Sequence, residues 1–136
     1  MLLQPYLNFD GDCEAAFRFY AEVLGGRIET MMTHRDSPVA ADTPVEWQDK
    51  ILHAYLTVGD AVLMASDAPP GMYSRPQGLY VSIGLSDPAQ AERIFKALAD
   101  GGTVQMPFEE TFWAYRFGML VDRFGTPWMI NCEKPS

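Results

Sequence analysis

Apolar positions recur along this chain in two rhythms, and the same succession of rhythms occurs twice. Pro5–Phe9 is a short apolar run closed by the turn residues Asp10-Gly11-Asp12, which predicts a strand. Ala16, Phe17, Phe19, Tyr20, Val23 and Leu24 then recur at helical spacing from Cys13 onward. They predict a helix with one broad apolar face, with Asp12 as its N-cap. Gly25-Gly26 ends that helix, because glycine takes the left-handed position after a last turn without a Cβ clash. Residues 27–33 alternate loosely and read as a second strand. Ile51–Val58, Gly59-Asp60 and Ala61–Ser66 read as a β-hairpin around a two-residue turn.

The second half repeats the plan. Leu79–Leu85 reads as a strand. Ser86 or Asp87 caps a helix with Pro88 at its first position, where a missing N–H costs nothing. Ala91, Ile94, Phe95 and Leu98 form the buried face of that helix, and Gly101-Gly102 follows it. Thr103–Pro107, Ala114–Val121 and Trp128–Cys132 complete the set as strands, separated by turns at Glu109-Glu110-Thr111 and Asp122–Thr126. The order is βαβββ in each half, an α+β class built from two diverged copies of one module. Module one covers residues 1–67, a linker rich in proline and glycine covers 68–77, and module two covers 78–136. Residues 34–50 form a long loop of the kind that is either functional or mobile.

At 136 residues the chain is one domain by size, and its 48% apolar and 21% charged residues are ordinary for a globular protein. The net charge of −8, with no local run of Lys or Arg, argues against nucleic acid as a partner. No apolar run approaches the roughly 20 residues of a membrane span. The start Met1-Leu2-Leu3-Gln4-Pro5 has no basic segment before its apolar residues, so no signal peptide is expected and a cytoplasmic location is the default. The two cysteines, Cys13 and Cys132, have no CxxC or metal-ligand spacing and read as reduced, packed thiols.

With this topology laid out, the stretch Pro5–Tyr20 resembles the opening of the vicinal oxygen chelate superfamily, which includes glyoxalase I, fosfomycin- and bleomycin-resistance proteins and extradiol dioxygenases. The segments Thr111–Gly118 and Asp122–Trp128 are similar to its PhnB-like branch, and the resemblance covers essentially the whole chain. It implies that each module curls into a half-barrel, that two half-barrels line a cup-shaped cavity, and that the protein is a homodimer. The methyltransferase label carried by some relatives finds no Gly-rich loop after the first strand to support it.

Metal-using members of the superfamily hold one divalent cation with His and Glu side chains. Applying the family spacing from Tyr20 lands on Pro5, the second-module equivalent falls at Leu79, and the last-strand carboxylate position falls at Met129. The remaining position, on the fourth strand, falls near Met64 or Ala65. None supplies the hard N/O donor that such a site needs. The expectation is therefore no metal and no cofactor. His53, at the start of the third strand, and His34, in the loop, read as polar surface or hydrogen-bonded residues rather than ligands.

An apolar cup without a metal suits an organic ligand. The candidate lining residues are Tyr6, His53, Tyr55, Met64, Leu79, Trp113, Tyr115, Arg116 and Met129, with Arg116 placed to meet an anionic group or to pair with Glu109, Glu110 or Asp122. Three functional readings stay open. The leading one is a metal-free small-molecule-binding member of the PhnB-like branch. The second is a lyase, isomerase or dioxygenase-type enzyme with a metal at non-standard ligands such as His53, Glu14 or Glu133. The third is a structural or regulatory interaction module whose barrel is filled by side chains.

Overall fold

The structure is a computed structural model that describes residues 1–134. The chain divides into two compact units, Met1–Ser74 and Arg75–Ser136. The first contains β1 (Tyr6–Phe9), α1 (Cys13–Leu24), β2 (Arg27–Thr33), β3 (Ile51–Val58) and β4 (Ala61–Asp67). The second contains β5 (Val81–Leu85), α2 (Pro88–Ala99), β6 (Thr103–Glu109), β7 (Arg116–Val121) and β8 (Pro127–Cys132). Each unit is one four-stranded mixed sheet with open edges, ordered β1-β4-β3-β2 and β5-β8-β7-β6. The βαβββ plan is present in both, with a parallel pair (β1 with β4, β5 with β8) closing each crossover.

In the first unit α1 lies against β2, β3 and β4. Its apolar stripe, Cys13, Ala16, Phe17, Tyr20 and Val23, meets Leu7, Phe9, Ala54, Leu56, Leu63 and Ala65 from alternate strand positions, and all are buried. Phe9, Phe17 and Tyr20 pack edge-on and tilted, with centroids 6.0–6.4 Å apart. Burying each such ring contributes roughly 1.5–3 kcal/mol. In the second unit α2 lies on β6, β7 and β8 and buries Ala91, Ile94, Phe95 and Leu98 against that sheet. Gly118 on β7 allows this close approach, since a Cβ there would stand 2.5 Å from the Phe95 ring.

The start of α1 differs from expectation. Asp12 occupies the N-cap position, but its side chain makes no capping bond. The carboxylate that serves this turn comes from the neighbouring strand, where Asp67 pairs with Phe9. Asp67, the buried last residue of β4, accepts from the Gly11 and Cys13 N–H groups through Oδ1 (2.9 and 3.0 Å) and from Ile51 N–H through Oδ2 (2.8 Å). In α2 the expected local cap is present, with Ala89 N–H donating to Asp87 Oδ1 at 3.1 Å.

Strand ends also moved for identifiable reasons. β5 begins at Val81, because its ladder with β8 starts at the Val81–Trp128 pair and Leu79 stays 58% exposed. β6 continues past Pro107 to Glu109; it is an edge strand, where a missing N–H is tolerated. β7 starts only at Arg116, because Ala114 closes a turn onto Thr111 through Ala114 N–H to Thr111 Oγ1 (3.0 Å) and Thr111 N–H to the Ala114 carbonyl (3.2 Å).

The 34–50 segment is fastened rather than loose. His34 N–H donates to the Lys50 carbonyl and Arg35 N–H to that of Gln48. Two single 3₁₀ turns, Ala40–Asp42 and Val45–Trp47, fill the middle. Gln48 Nε2 donates to the Ala40 and Thr43 carbonyls, and Lys50 Nζ donates to the Gly11 carbonyl at 2.9 Å while standing over the Trp47 ring.

Both cysteines are buried and unbridged. Burial pushes the Cys13 thiol well above its ordinary range, and the nearby carboxylates of Asp67, Asp12 and Glu14 add to the shift. Cys132 is raised for the same leading reason, with Asp87 and Glu133 adding. Both thiols should therefore resist a disulfide reagent at mildly alkaline pH while the protein is folded and react once it is denatured; rapid native labelling would show that one of them is open. Since the folded values are raised, the linked stability is complete below the ordinary thiol range and is lost as pH climbs above it. Cys13→Ala should flatten that alkaline loss.

Candidate functional site

Alternation along the strands leaves one face of each sheet against its helix and the other free of it. On the helix-free face of the first unit, register aligns Tyr6 with Met64, Met64 with Tyr55 and Tyr55 with Thr30. Beside that row lie Asn8 with Ser66, and His53 with Met32. The Tyr6 and His53 rings stack, with centroids 6.1 Å apart and planes 25° from parallel, and Tyr6 Oη lies 3.4 Å from His53 Nδ1. Tyr55 tilts against His53 at 6.5 Å. Tyr6 remains 49% exposed, so the group is open to solvent. Four of the residues expected from the sequence, Tyr6, His53, Tyr55 and Met64, are thus brought together. Two phenols, an imidazole and flanking thioethers can stack on and hydrogen-bond a planar organic molecule.

In the second unit the helix-free face carries Ser82 beside Met129, Met129 beside Met119, and Met119 beside Met106. The next row is Gly84, Asn131, Phe117 and Glu109. Trp113, 49% exposed in the loop before β7, sets its ring edge-on to Phe117 at 5.3 Å, and Phe112, 89% exposed, packs on Trp113 at 4.8 Å. Trp113 and Met129 therefore belong to one surface.

Arg116 and Leu79 lie apart from it. Arg116 shares the parity of Gly118 and Leu120 and so sits on the helix side of the sheet, with its guanidinium 5.5 Å from the Tyr115 ring centre. It makes none of the ion pairs with Glu109, Glu110 or Asp122 that were open to it. Tyr115 is held at the start of β7 by its N–H on the Cys132 carbonyl. Leu79 lies before β5, in a separate cavity with Tyr80 and Gln105.

Two features escaped the sequence reading. Asn131 Oδ1 is enclosed without a hydrogen-bond partner on the helix-free face, and its parity with Met129 along β8 was the available signal. His34 is half-buried rather than a surface residue, and neither of its ring nitrogens has a partner.

The residues do not fit a metal centre of the kind metal-using relatives build. The Pro5 carbonyl accepts from Met64 N–H, the Pro5 ring carries no donor atom, and Met64 and Met129 offer thioethers. Glu14 is engaged in an exposed pair with Arg18, and among the described residues the ring neighbours of His53 are Tyr6 and Tyr55. Among the described residues, no three His, Cys, Asp or Glu side chains gather closely enough to hold a metal ion. No helix among them is long and apolar enough to cross a membrane.

Two successive βαβββ units are present, and the chain belongs to the glyoxalase/bleomycin resistance protein/dioxygenase superfamily, whose pattern it matches over residues 3–130. Among its relatives is protein YjdN of Escherichia coli strain K12, 33% identical across 98% of this chain and 97% of YjdN. The crystal structure of protein PA1353 from Pseudomonas aeruginosa is 48% identical, covers 99% of both chains and superposes with a TM-score of 0.89. The PhnB protein of Bacillus cereus shares the fold, with a TM-score of 0.81 at 19% identity over 97% of this chain and 99% of its own.

Proposed function

We propose that this chain is a small-molecule-binding member of the superfamily that works without a resident metal and takes a planar organic ligand on the helix-free face of its first unit. The observation that carries the reading is the open Tyr6–His53–Tyr55 group flanked by Met64. Its rings present stacking faces and polar ends. The Pro5, Leu79 and Met129 positions, which lack hard donors, support the metal-free part. In the second unit, Trp113 and the unpartnered Asn131 Oδ1 supply the same combination of a ring face and a polar atom. The proposal includes assembly as a cytoplasmic homodimer; a light-scattering mass of a single chain would remove that part.

Binding of a panel of planar aromatic compounds, read by side-chain NMR shifts, tests the site. A compound that binds wild type should bind His53→Ala and Tyr55→Ala at least tenfold more weakly, each tenfold being about 1.4 kcal/mol. Equal affinity in both variants would place the ligand elsewhere. Stoichiometric metal that is retained by wild type and lost in His53→Ala would replace the binding reading with a metalloenzyme one.

A further inference from the structure

The second unit contains a cavity of about 260 Å³ formed where the approach to β5 crosses the ends of β6, β7 and β8. Arg75, Leu79, Tyr80, Gln105, Val121 and Pro127 line it. We infer that this cavity is a binding site for a small organic carboxylate with a short or flat apolar body, separate from the Tyr6–His53–Tyr55 face.

Three observations converge. The first is charge. The chain has 18 acidic residues against 10 basic ones, yet no Asp or Glu lines this cavity. Arg75 lines it and makes no ion pair or hydrogen bond among the described residues, unlike Arg18, Arg27 and Arg35, which are paired. An unpaired guanidinium in an acidic protein is a free bidentate donor, and its fork matches the two oxygens of a carboxylate.

The second is the fixed amide. Tyr80 O–H donates to Gln105 Oε1 at 2.9 Å. That bond occupies the amide oxygen and leaves the Gln105 NH₂ as a further donor. A neutral amide donor together with a cation, and no anionic group, selects an acceptor-only ligand head.

The third is shape. Leu79, Val121 and Pro127 supply apolar wall, and Leu79, which precedes β5, keeps 58% of its surface exposed. Pockets that enclose drug-sized ligands begin at about 300 Å³, so a volume slightly below this admits a fragment-sized molecule.

Benzoate, its neutral isostere benzamide and inorganic phosphate are the probes, titrated into the full chain and followed at the Gln105 side-chain amide by NMR, with calorimetry for affinity. Saturable benzoate binding that shifts the Gln105 amide is expected, with benzamide at least tenfold weaker. Arg75 is exposed, so Arg75→Gln should fold normally and weaken benzoate at least tenfold, while Arg18→Gln in the first unit leaves it unchanged. Three results would each overturn the assignment: no saturable shift at Gln105, benzamide equal to benzoate, or Arg75→Gln equal to wild type. Phosphate binding as tight as benzoate would overturn the requirement for an apolar body. Loss of ligand binding at His53 leaves every one of these readings intact, so this site and the first-unit site stand or fall separately.

Discussion

Asp67→Ala is expected to cost roughly 3–5 kcal/mol, a large share of the stability of a chain this size. The carboxylate is buried and accepts three backbone N–H groups, from Gly11, Cys13 and Ile51. It ties the β1–α1 turn and the start of β3 to the end of β4. Bonds to a charged acceptor contribute more than neutral ones, and their loss strands donors that water reaches poorly. Asp67→Asn separates the causes. An amide keeps one oxygen for Gly11 and Cys13 but sets an NH₂ group against the Ile51 N–H, so about half the loss should remain. Urea unfolding with an unchanged slope measures both. A loss below about 1 kcal/mol for Asp67→Ala would mean that local capping at Asp12 takes over, and that the long-range carboxylate is dispensable.

Trp128→Ala is expected to cost about 3–5 kcal/mol in the second unit. The ring is fully buried against the helix side of β8, and its Nε1–H donates to Asp122 Oδ2 at 2.9 Å. Asp122 in turn holds the β7–β8 turn, accepting from Phe124 and Thr126 N–H at 2.8 and 3.0 Å. Removal of the indole leaves a cavity and withdraws one donor from a buried carboxylate. Trp128→Phe retains most of the volume and loses only the donor, which should limit the cost to about 1–3 kcal/mol. If the Phe variant proved as unstable as the Ala variant, the hydrogen bond rather than the packing would dominate.

The repeat itself was legible because helix and strand impose different periods on apolar residues. The helices came out with the expected bounds, Cys13–Leu24 and Pro88–Ala99, since each combines a continuous apolar stripe with a glycine-rich stop. Met64 and Met129, reached from the superfamily's ligand spacing, and the candidates Tyr6 and Tyr55 alternate with the buried positions of their strands. What alternation cannot carry is which side of a strand meets the helix when both sides are partly apolar. Arg116 shows this: two aromatic neighbours suggested the ligand side, and the β7–β8 register turned it to the helix side. Leu79 shows a second gap, because an apolar residue before a strand reads as strand until pairing fixes where the ladder begins.

By itself, then, the sequence determined the element order, the two helix faces and the family. Each is a property of neighbours along the chain or of residue identity. The tertiary structure decided which side chains meet. Asp67 reaches the α1 turn from 54 residues away along the chain, and Tyr6 reaches His53 across 47. The Arg75 cavity brings Tyr80 beside Gln105, 25 residues away along the chain. Long-range register selects these partners, and it is set by the sum of the packing over a whole sheet, a quantity no local window of sequence contains.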